Sequence, residues 1–425
     1  MTLYYLFLFL VPFQEHPVMG AQILRLGWFP VTPIKLVGIL LVVATMLLPR
    51  PREAAQRPSS GIIVLFAAFA LFQVLGTTLS SLAFPSIDAS TMVAFAILMF
   101  ATNILISTKD RLQMTVRVIV LAETFASTWM YRQYYLYHWP RPLGPSSDPN
   151  YEALSLVVTL PLAIWLARYE IRSLWKWVGR ICTPILAFAV FLSQSRGGLL
   201  AMAVMAVLAW LNSPRKTRLL GWFVAAAIFL FAIAPGQVLD RIKQIQVAGE
   251  AETGAGESTR ARVELAKAGI AMMEDHPVFG VGLGQFKGNE FHYNPVLTDL
   301  EPDPKIAHDT YVQLGAEGGI PTLALYVAIL LLTLLTCRKA QKLPGLSEDI
   351  STLALSFQIG LIGIVVAEFF LTAQYIKEVW VLISLAPNLY AVSRHLAGTS
   401  SAKALPEQPR PATAIVMKPR LRRAG

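Results

Sequence analysis

Ser258–Phe286 reads STRARVELAKAGIAMMEDHPVFGVGLGQF, and after a polar, turn-rich passage His308–Pro321 reads HDTYVQLGAEGGIP. This is the one long hydrophilic stretch with apolar segments on both sides, so it separates two sets of hydrophobic helices. Ser258 or Thr259 can cap a helix. Val263, Ala266, Ile270 and Met273 form an apolar stripe at helical spacing, and His276-Pro277 stops it. The expectation is an amphipathic helix of about four turns, lying on a membrane surface or against a helical bundle. Gly280, Gly282 and Gly284 lack the preceding strand and the lysine of a nucleotide loop. They read instead as a turn carrying the chain back toward the membrane.

The rest of the chain fixes the class. Of 425 residues, 55% are apolar and only 15% charged, with a mean hydropathy of +0.54. Soluble domains carry about 25% charged residues, so an integral membrane protein is expected. A span needs roughly 20 apolar residues, and segments near 2–13, 32–48, 61–80, 88–107, 112–131, 151–167, 178–194, 197–212, 219–235, 311–336, 350–371 and 376–393 qualify. The first, of about 12 residues, is too short to span unless Glu15–Phe29 continues it or it is re-entrant; it has neither a basic n-region nor a small-residue cleavage site, and reads as an uncleaved first segment. The fold class is therefore all-α and polytopic, with about 12 transmembrane helices and one long loop. The expected organisation is a bundle over 1–235, a loop over 236–310, further helices over 311–396 and a basic, proline-rich, disordered tail over 397–425. No solenoid-type repeat is present.

Lys and Arg set the orientation. Every second connection is basic, as in Arg50, Arg52 and Arg57, or Arg168, Arg172, Lys176 and Arg180. Those connections and the tail are expected inside, which puts the turn at Arg196, the long loop and His308 on one outer face. The formal net charge of +10 is thereby explained by orientation and attraction to anionic lipid, with no need for nucleic acid. Cys182 and Cys337 offer neither a disulfide framework nor metal spacing, and no metal site is expected.

Three residues on that face suggest chemistry. Arg196, in SQSRGGLL, lies between two tightly connected helices, with Gly197 and Gly198 expected to leave the backbone open beside it. A guanidinium fork suits bidentate phosphate binding. Arg262 and, more weakly, Arg260 would add donors from the loop helix. His308 precedes a glycine-rich helix start, and a neutral imidazole can take a proton from a hydroxyl. Gln194, Asp309 and Tyr311 flank these residues and join Arg260 as candidate substrate-binding positions. His308 and Asp309 are not read as a dyad, because adjacent helical side chains diverge. Glu123 and Glu368 are the acids recognised within spans.

This pattern resembles the O-antigen ligase and polymerase superfamily of bacterial polysaccharide assembly. The resemblance rests on the SRGG turn at Ser195–Gly198, on Arg262 followed by Pro277, Gly280 and Gly282, and on His308, Asp309, Tyr311, Ala316, Glu317, Gly319 and Ile320. It implies transfer of a glycan from an undecaprenyl-diphosphate donor to an acceptor hydroxyl, on lipid A-core or another glycan, at the periplasmic face of a bacterial inner membrane. Residues matching Arg196 and Arg262 would hold the diphosphate, and His308 would be the base. No cofactor, nucleotide sugar or metal is implied. The repeat-unit polymerase branch shares these signatures. A transporter or flippase is the rival from another class, but it predicts ionisable sites at mid-membrane depth. Lys287–Lys305 matches nothing recognisable.

Overall fold

The computed structural model describes residues 1–26, 29–47, 61–79, 87–232, 236, 254–300 and 303–404. Their regular secondary structure is helical apart from one antiparallel hairpin, β1 (Leu24–Leu26) and β2 (Phe29–Val31), which pairs Leu24 with Val31. The first half holds α1 (Thr2–Leu10), α2 (Pro33–Leu47), α3 (Gly61–Leu79), α4 (Ile87–Leu105), α5 (Lys109–Tyr135), α6 (Pro149–Tyr169), α7 (Ser173–Leu192), α8 (Arg196–Leu211) and α9 (Lys216–Ala232). In the loop lie α10 (Gly254–Asp275), α11 (Phe286–Tyr293) and α12 (Leu297–Leu300). The chain then continues through α13 (Thr310–Gln341), α14 (Glu348–Ala367) and α15 (Lys377–Ala404).

Among the described residues, five helices are long and apolar enough to cross a membrane, namely α3, α6, α7, α13 and α14. Shorter apolar helices lie at Thr2–Phe13, Pro33–Leu47, Thr91–Leu105 and Arg196–Leu211. This composition fits a multi-pass membrane protein. α5 and α15, expected as spans, are 27 and 28 residues long but bury polar groups, including Gln113, Arg117, Glu123 and Gln133 on α5. Arg117 donates twice to Glu170 Oε2, at 2.9 and 2.7 Å. α15 runs past the expected boundary of the tail, while residues 405–425 lie outside those described, as does the loop's start at 237–253.

α6 sits at the centre, buried on nearly all sides and packed against α7, α14, α5 and α8. α13 joins α3, α14 and α15, whereas α9 packs on α8 and exposes Leu220, Trp222, Ile228 and Phe229. The loop has its own small core of Leu265, Ala268, Met272, Val281, Phe286 and Leu297, with Ala307 and Ala316. α10 is longer than expected, starting at Gly254 rather than near Thr259, and it lies against α13. Its buried stripe is Ala261, Leu265, Ala268 and Met272, while Val263 and Ile270 are exposed. The helix carries two apolar stripes about half a turn apart, and tertiary contact with α13 selects the one with small residues. Lys287–Lys305 packs as well: Asn294 Nδ2 donates to Glu264 Oε2 at 2.8 Å, and Lys305 N to Glu290 Oε1 at 2.9 Å.

The glycine-rich segment has a specific structural task. α13 is broken at Gly319, where φ is 74° and ψ 179°, with Pro321 just beyond. A break frees carbonyls and amides that must find other partners when buried. Val281 N donates to Ala316 O at 2.8 Å, Gly282 N to Glu317 O at 3.0 Å, and Ile320 N to Pro277 O at 2.8 Å. The strap 277–282 therefore replaces the missing helical bonds. Approach is so close that a Cβ on Gly280 would lie 2.3 Å from the Glu317 carbonyl carbon, and one on Gly319 2.5 Å from that of Val278.

Gly319→Ala should accordingly destabilise the protein by roughly 1–3 kcal/mol or more, since that backbone conformation is open essentially only to glycine. Gly288→Ala, where an added Cβ meets nothing within 4 Å, should leave the thermal midpoint of detergent-purified protein unchanged. Equal midpoints for the two variants would contradict the strap's role.

Candidate active site

Helix starts and ends on the loop side of the bundle build the site. Asp148 caps α6, accepting from Asn150 N and Tyr151 N at 2.6 and 3.4 Å. Ser195 caps α8, accepting from Gly198 N at 3.2 Å. Asp309 caps α13, accepting from Tyr311 N and Val312 N at 2.8 and 3.0 Å. Helix N-termini carry partial positive charge and favour anions.

A cavity of about 90 Å³ opens between the starts of α6 and α8, the loop helix and the 367–371 corner, lined by Arg196, Arg262, Arg141, Gln194 and Asn150 among others. Arg196 and Arg262, far apart in sequence, thus share one small polar chamber. Arg196 projects from the first turn of α8 and Arg262 from the loop helix. The two glycines after Arg196 do not leave open backbone. A Cβ on Gly197 would meet Phe370 Cβ at 2.8 Å, and one on Gly198 would meet Ala153 Cβ at the same distance. They let α8 close onto α6 and the 368–371 corner, which brings Arg196 into the chamber.

Arg141 is a third arginine that sequence reasoning missed. It donates from Nε to Ser193 O at 3.1 Å and from a terminal nitrogen to Asn150 Oδ1 at 2.9 Å. It was visible as a basic residue in a connection of the outer set, between α5 and α6. Gln194 lines the same chamber, with Nε2 donating to Pro140 O at 2.7 Å.

The remaining candidates divide. Arg260 lies two residues from Arg262 on one helix, on a diverging face; it is exposed, close to Glu264, and outside the chamber lining. Asp309 spends its carboxylate on the helix cap. Tyr311 donates to Val365 O at 3.1 Å and Glu368 Oε2 at 3.3 Å, tying α13 to α14. Tyr326 also donates to Glu368.

His308 does not line this chamber but lies within electrostatic reach of Arg262; it is half-buried, and its Nδ1 is buried with no hydrogen-bond partner among the described residues. Burial, then the charge of Arg262, push its pKa down to about 4, against an opposing pull from Asp148. At neutral pH the ring is uncharged. Its backbone is left-handed, with φ 52°; Gln194 and Ser147 share that conformation at 55° and 60°. Such non-glycine residues are uncommon and cluster at functional sites.

The fold and this constellation define a polytopic helical membrane protein with a basic chamber and an adjacent neutral histidine under a loop subdomain. Residues 181–327 match the family model described as O-Antigen ligase, which supports placing the protein in the O-antigen ligase superfamily. The matched region runs from α7 into α13 and contains Arg196, Arg262 and His308. No curated protein matches the chain. The match supports a glycosyltransferase-like enzyme of the O-antigen pathway, acting on lipid-linked glycan and acceptor substrates in general.

The depressed pKa makes a stability prediction. The unfolded state has an ordinary histidine that takes up its proton near pH 6.5, while folded His308 resists until about pH 4. Stability is thus lost as pH falls through that window. The thermal midpoint of His308→Gln should fall less between those pH values than that of wild type, as read by denaturation of purified protein. Identical acid slopes would mean that His308 is not held neutral.

Proposed function

We propose that the protein transfers a glycan from an undecaprenyl-diphosphate donor to an acceptor hydroxyl, as an O-antigen ligase does, on the periplasmic side of the inner membrane. The observation that carries this reading is the convergence of Arg196, Arg262 and Arg141 at one chamber beside an uncharged His308. The donor's diphosphate would lie against the three guanidinium groups and the nearby N-termini of α6 and α8. His308 accepts the acceptor hydroxyl's proton as that oxygen bonds to the anomeric carbon. The bond from that carbon to the diphosphate breaks, and the electron pair leaves with undecaprenyl diphosphate. Fixed cations stabilise the departing charge by roughly 3–4 kcal/mol per donor, on the scale of other preorganised sites. One displacement inverts the anomeric configuration.

The electrostatics couple binding to basicity. Burial and, after it, the charge of Arg262 hold the His308 pKa down, and a pKa near 4 makes a weak base. A bound diphosphate offsets that charge and lets the pKa rise toward the range useful for catalysis. The acid limb of kcat should therefore lie at higher pH than that of kcat/KM, which reports the free enzyme. Coincident limbs would remove this coupling. His308→Ala should lower transfer by about 10²–10⁴-fold while donor binding persists. Arg196→Ala and Arg262→Ala should weaken both, with Lys a partial replacement. The assay is transfer by monodisperse protein from undecaprenyl-diphosphate glycan to lipid A-core. Product formed only on a second lipid-linked glycan would assign polymerase activity, and wild-type turnover by His308→Ala would remove the base.

The twelve-span topology with loop and chamber outside belongs to the same reading. Its support is the alternation of basic connections and the position of the α6, α8 and α13 starts on the loop side. Both native cysteines are buried, so a single added cysteine reports cleanly. An impermeant maleimide should label His292→Cys in intact spheroplasts and spare Thr217→Cys. The reverse pattern would invert the protein.

A further inference from the structure

A second, larger cavity lies on the other side of the first turns of α6. Its volume is about 330 Å³, at the lower end of the roughly 300–1,000 Å³ of small-ligand sites. Asn150 and Leu154 face the arginine chamber, whereas Tyr151, Glu152 and Ser155 face this cavity. Ile306 and Gln313, on either side of His308, also line it.

Its chemistry is opposite to that of the arginine chamber. Four carboxylates, Glu15, Glu152, Glu317 and Glu378, line the wall against one lysine, Lys287. Glu317 has local partners, accepting from Gln313 Nε2 at 2.5 Å and Tyr375 Oη at 2.9 Å. Glu152 and Glu378 are different: they are 2% and 9% exposed, yet Glu152 Oε1 and Glu378 Oε2 have no hydrogen-bond partner among the described residues. Buried carboxylate oxygens are costly unless a donor, and preferably a cation, meets them. The buried ammonium of neighbouring Lys377 lies within electrostatic reach of Glu378 and Glu15, but it donates to Gln14 Oε1 and leaves Glu152 Oε1 and Glu378 Oε2 without a donor. The described residues hold no group of three His, Cys, Asp or Glu that could seat a metal ion. An organic ammonium fits better, because it offers several donors and one positive charge. The tyrosine rings of Tyr151 and Tyr375 add faces on which a sugar or a cation can rest.

We propose that this cavity is the acceptor subsite and takes a sugar residue with a free amino group, its ammonium lodged between Glu152 and Glu378. Its role as the acceptor's subsite rests on the transfer reading above; the binding itself does not. With the amine held there, the sugar's hydroxyls extend along Gln313 toward His308, and the donor approaches from the arginine side of α6.

The test uses the full chain in lipid nanodiscs without donor, with glucosamine as probe at about pH 6.5, where such an amine is protonated. Glucosamine should raise the thermal midpoint saturably, and N-acetylglucosamine and glucose should not. Glu152→Gln and Glu378→Gln should each weaken glucosamine binding at least about tenfold, as expected for loss of a buried charged partner. In wild-type protein, glucosamine should also protect Glu152 from carbodiimide modification read by mass spectrometry, which requires no variant to fold. Equal stabilisation by glucose or N-acetylglucosamine would overturn the ammonium assignment, as would absence of both stabilisation and protection. Glucosamine binding in a protein that transfers no lipid-linked glycan would keep the amine site and overturn the donor reading instead.

Discussion

The structure depends on how one broken helix satisfies its backbone. Within a bilayer there is no water to take up a freed amide or carbonyl, and each unsatisfied group costs several kcal/mol. α13 nevertheless breaks at Gly319, because the strap 277–282 supplies the amides of Val281 and Gly282 and accepts that of Ile320. That exchange couples the loop's core to a long apolar helix through main-chain hydrogen bonds. The short segment Thr310–Gly318 is thereby offset from the rest of α13, and it carries Gln313 and Glu317 on the wall of the acidic cavity. Hydrophobic burial is a weak organiser where lipid tails surround the helices, so polar contacts of this kind fix the arrangement.

Two chambers of opposite charge share the start of α6. In the proposed reading, their separation by a single helix keeps two substrates of opposite character apart: an anion would meet arginines and helix N-termini, and a cation would meet buried carboxylates. His308 lies within electrostatic reach of Arg262 and Asp148, in a left-handed backbone conformation that its surroundings must impose. Neutrality of the imidazole follows from burial beside a guanidinium, and a base must be unprotonated before it can act.

Much of this was legible in the sequence. Hydropathy located the helices, and Ser195-Arg196-Gly197 marked the tight connection of α7 to α8. The two signature blocks pointed to Arg196, Arg262 and His308, and they lie in or beside the region that the family model matches. What escaped notice depends on tertiary contact. Either apolar stripe of α10 satisfies helical spacing, and only packing on α13 buries Ala261 and Leu265 rather than Val263 and Ile270. Arg260 differs from Arg262 by two positions and hence by most of a half-turn, so the pair could not both face the chamber. Glu152 and Glu378 carry no signal in the sequence, since nothing in a linear pattern shows that two acids near different helix starts are buried against one cavity. Gly197 and Gly198 suggested open backbone; the bundle uses them for close approach.

The corner between α14 and α15 extends the question of what an inactive variant means. Thr310 N donates to Glu368 O, Thr310 Oγ1 to Leu371 O, and Ala373 N to Thr310 Oγ1. The residue two places after His308 is thus sewn to 368–373, whose Phe370 and Leu371 line one chamber and Thr372 the other. Random mutagenesis screened for lost polysaccharide would score hits along this corner beside those at the arginines. In a survey read by phenotype alone, side chains that only hold the seam would be indistinguishable from those that handle the substrate, and the apparent active site would look twice as wide as the chemistry requires.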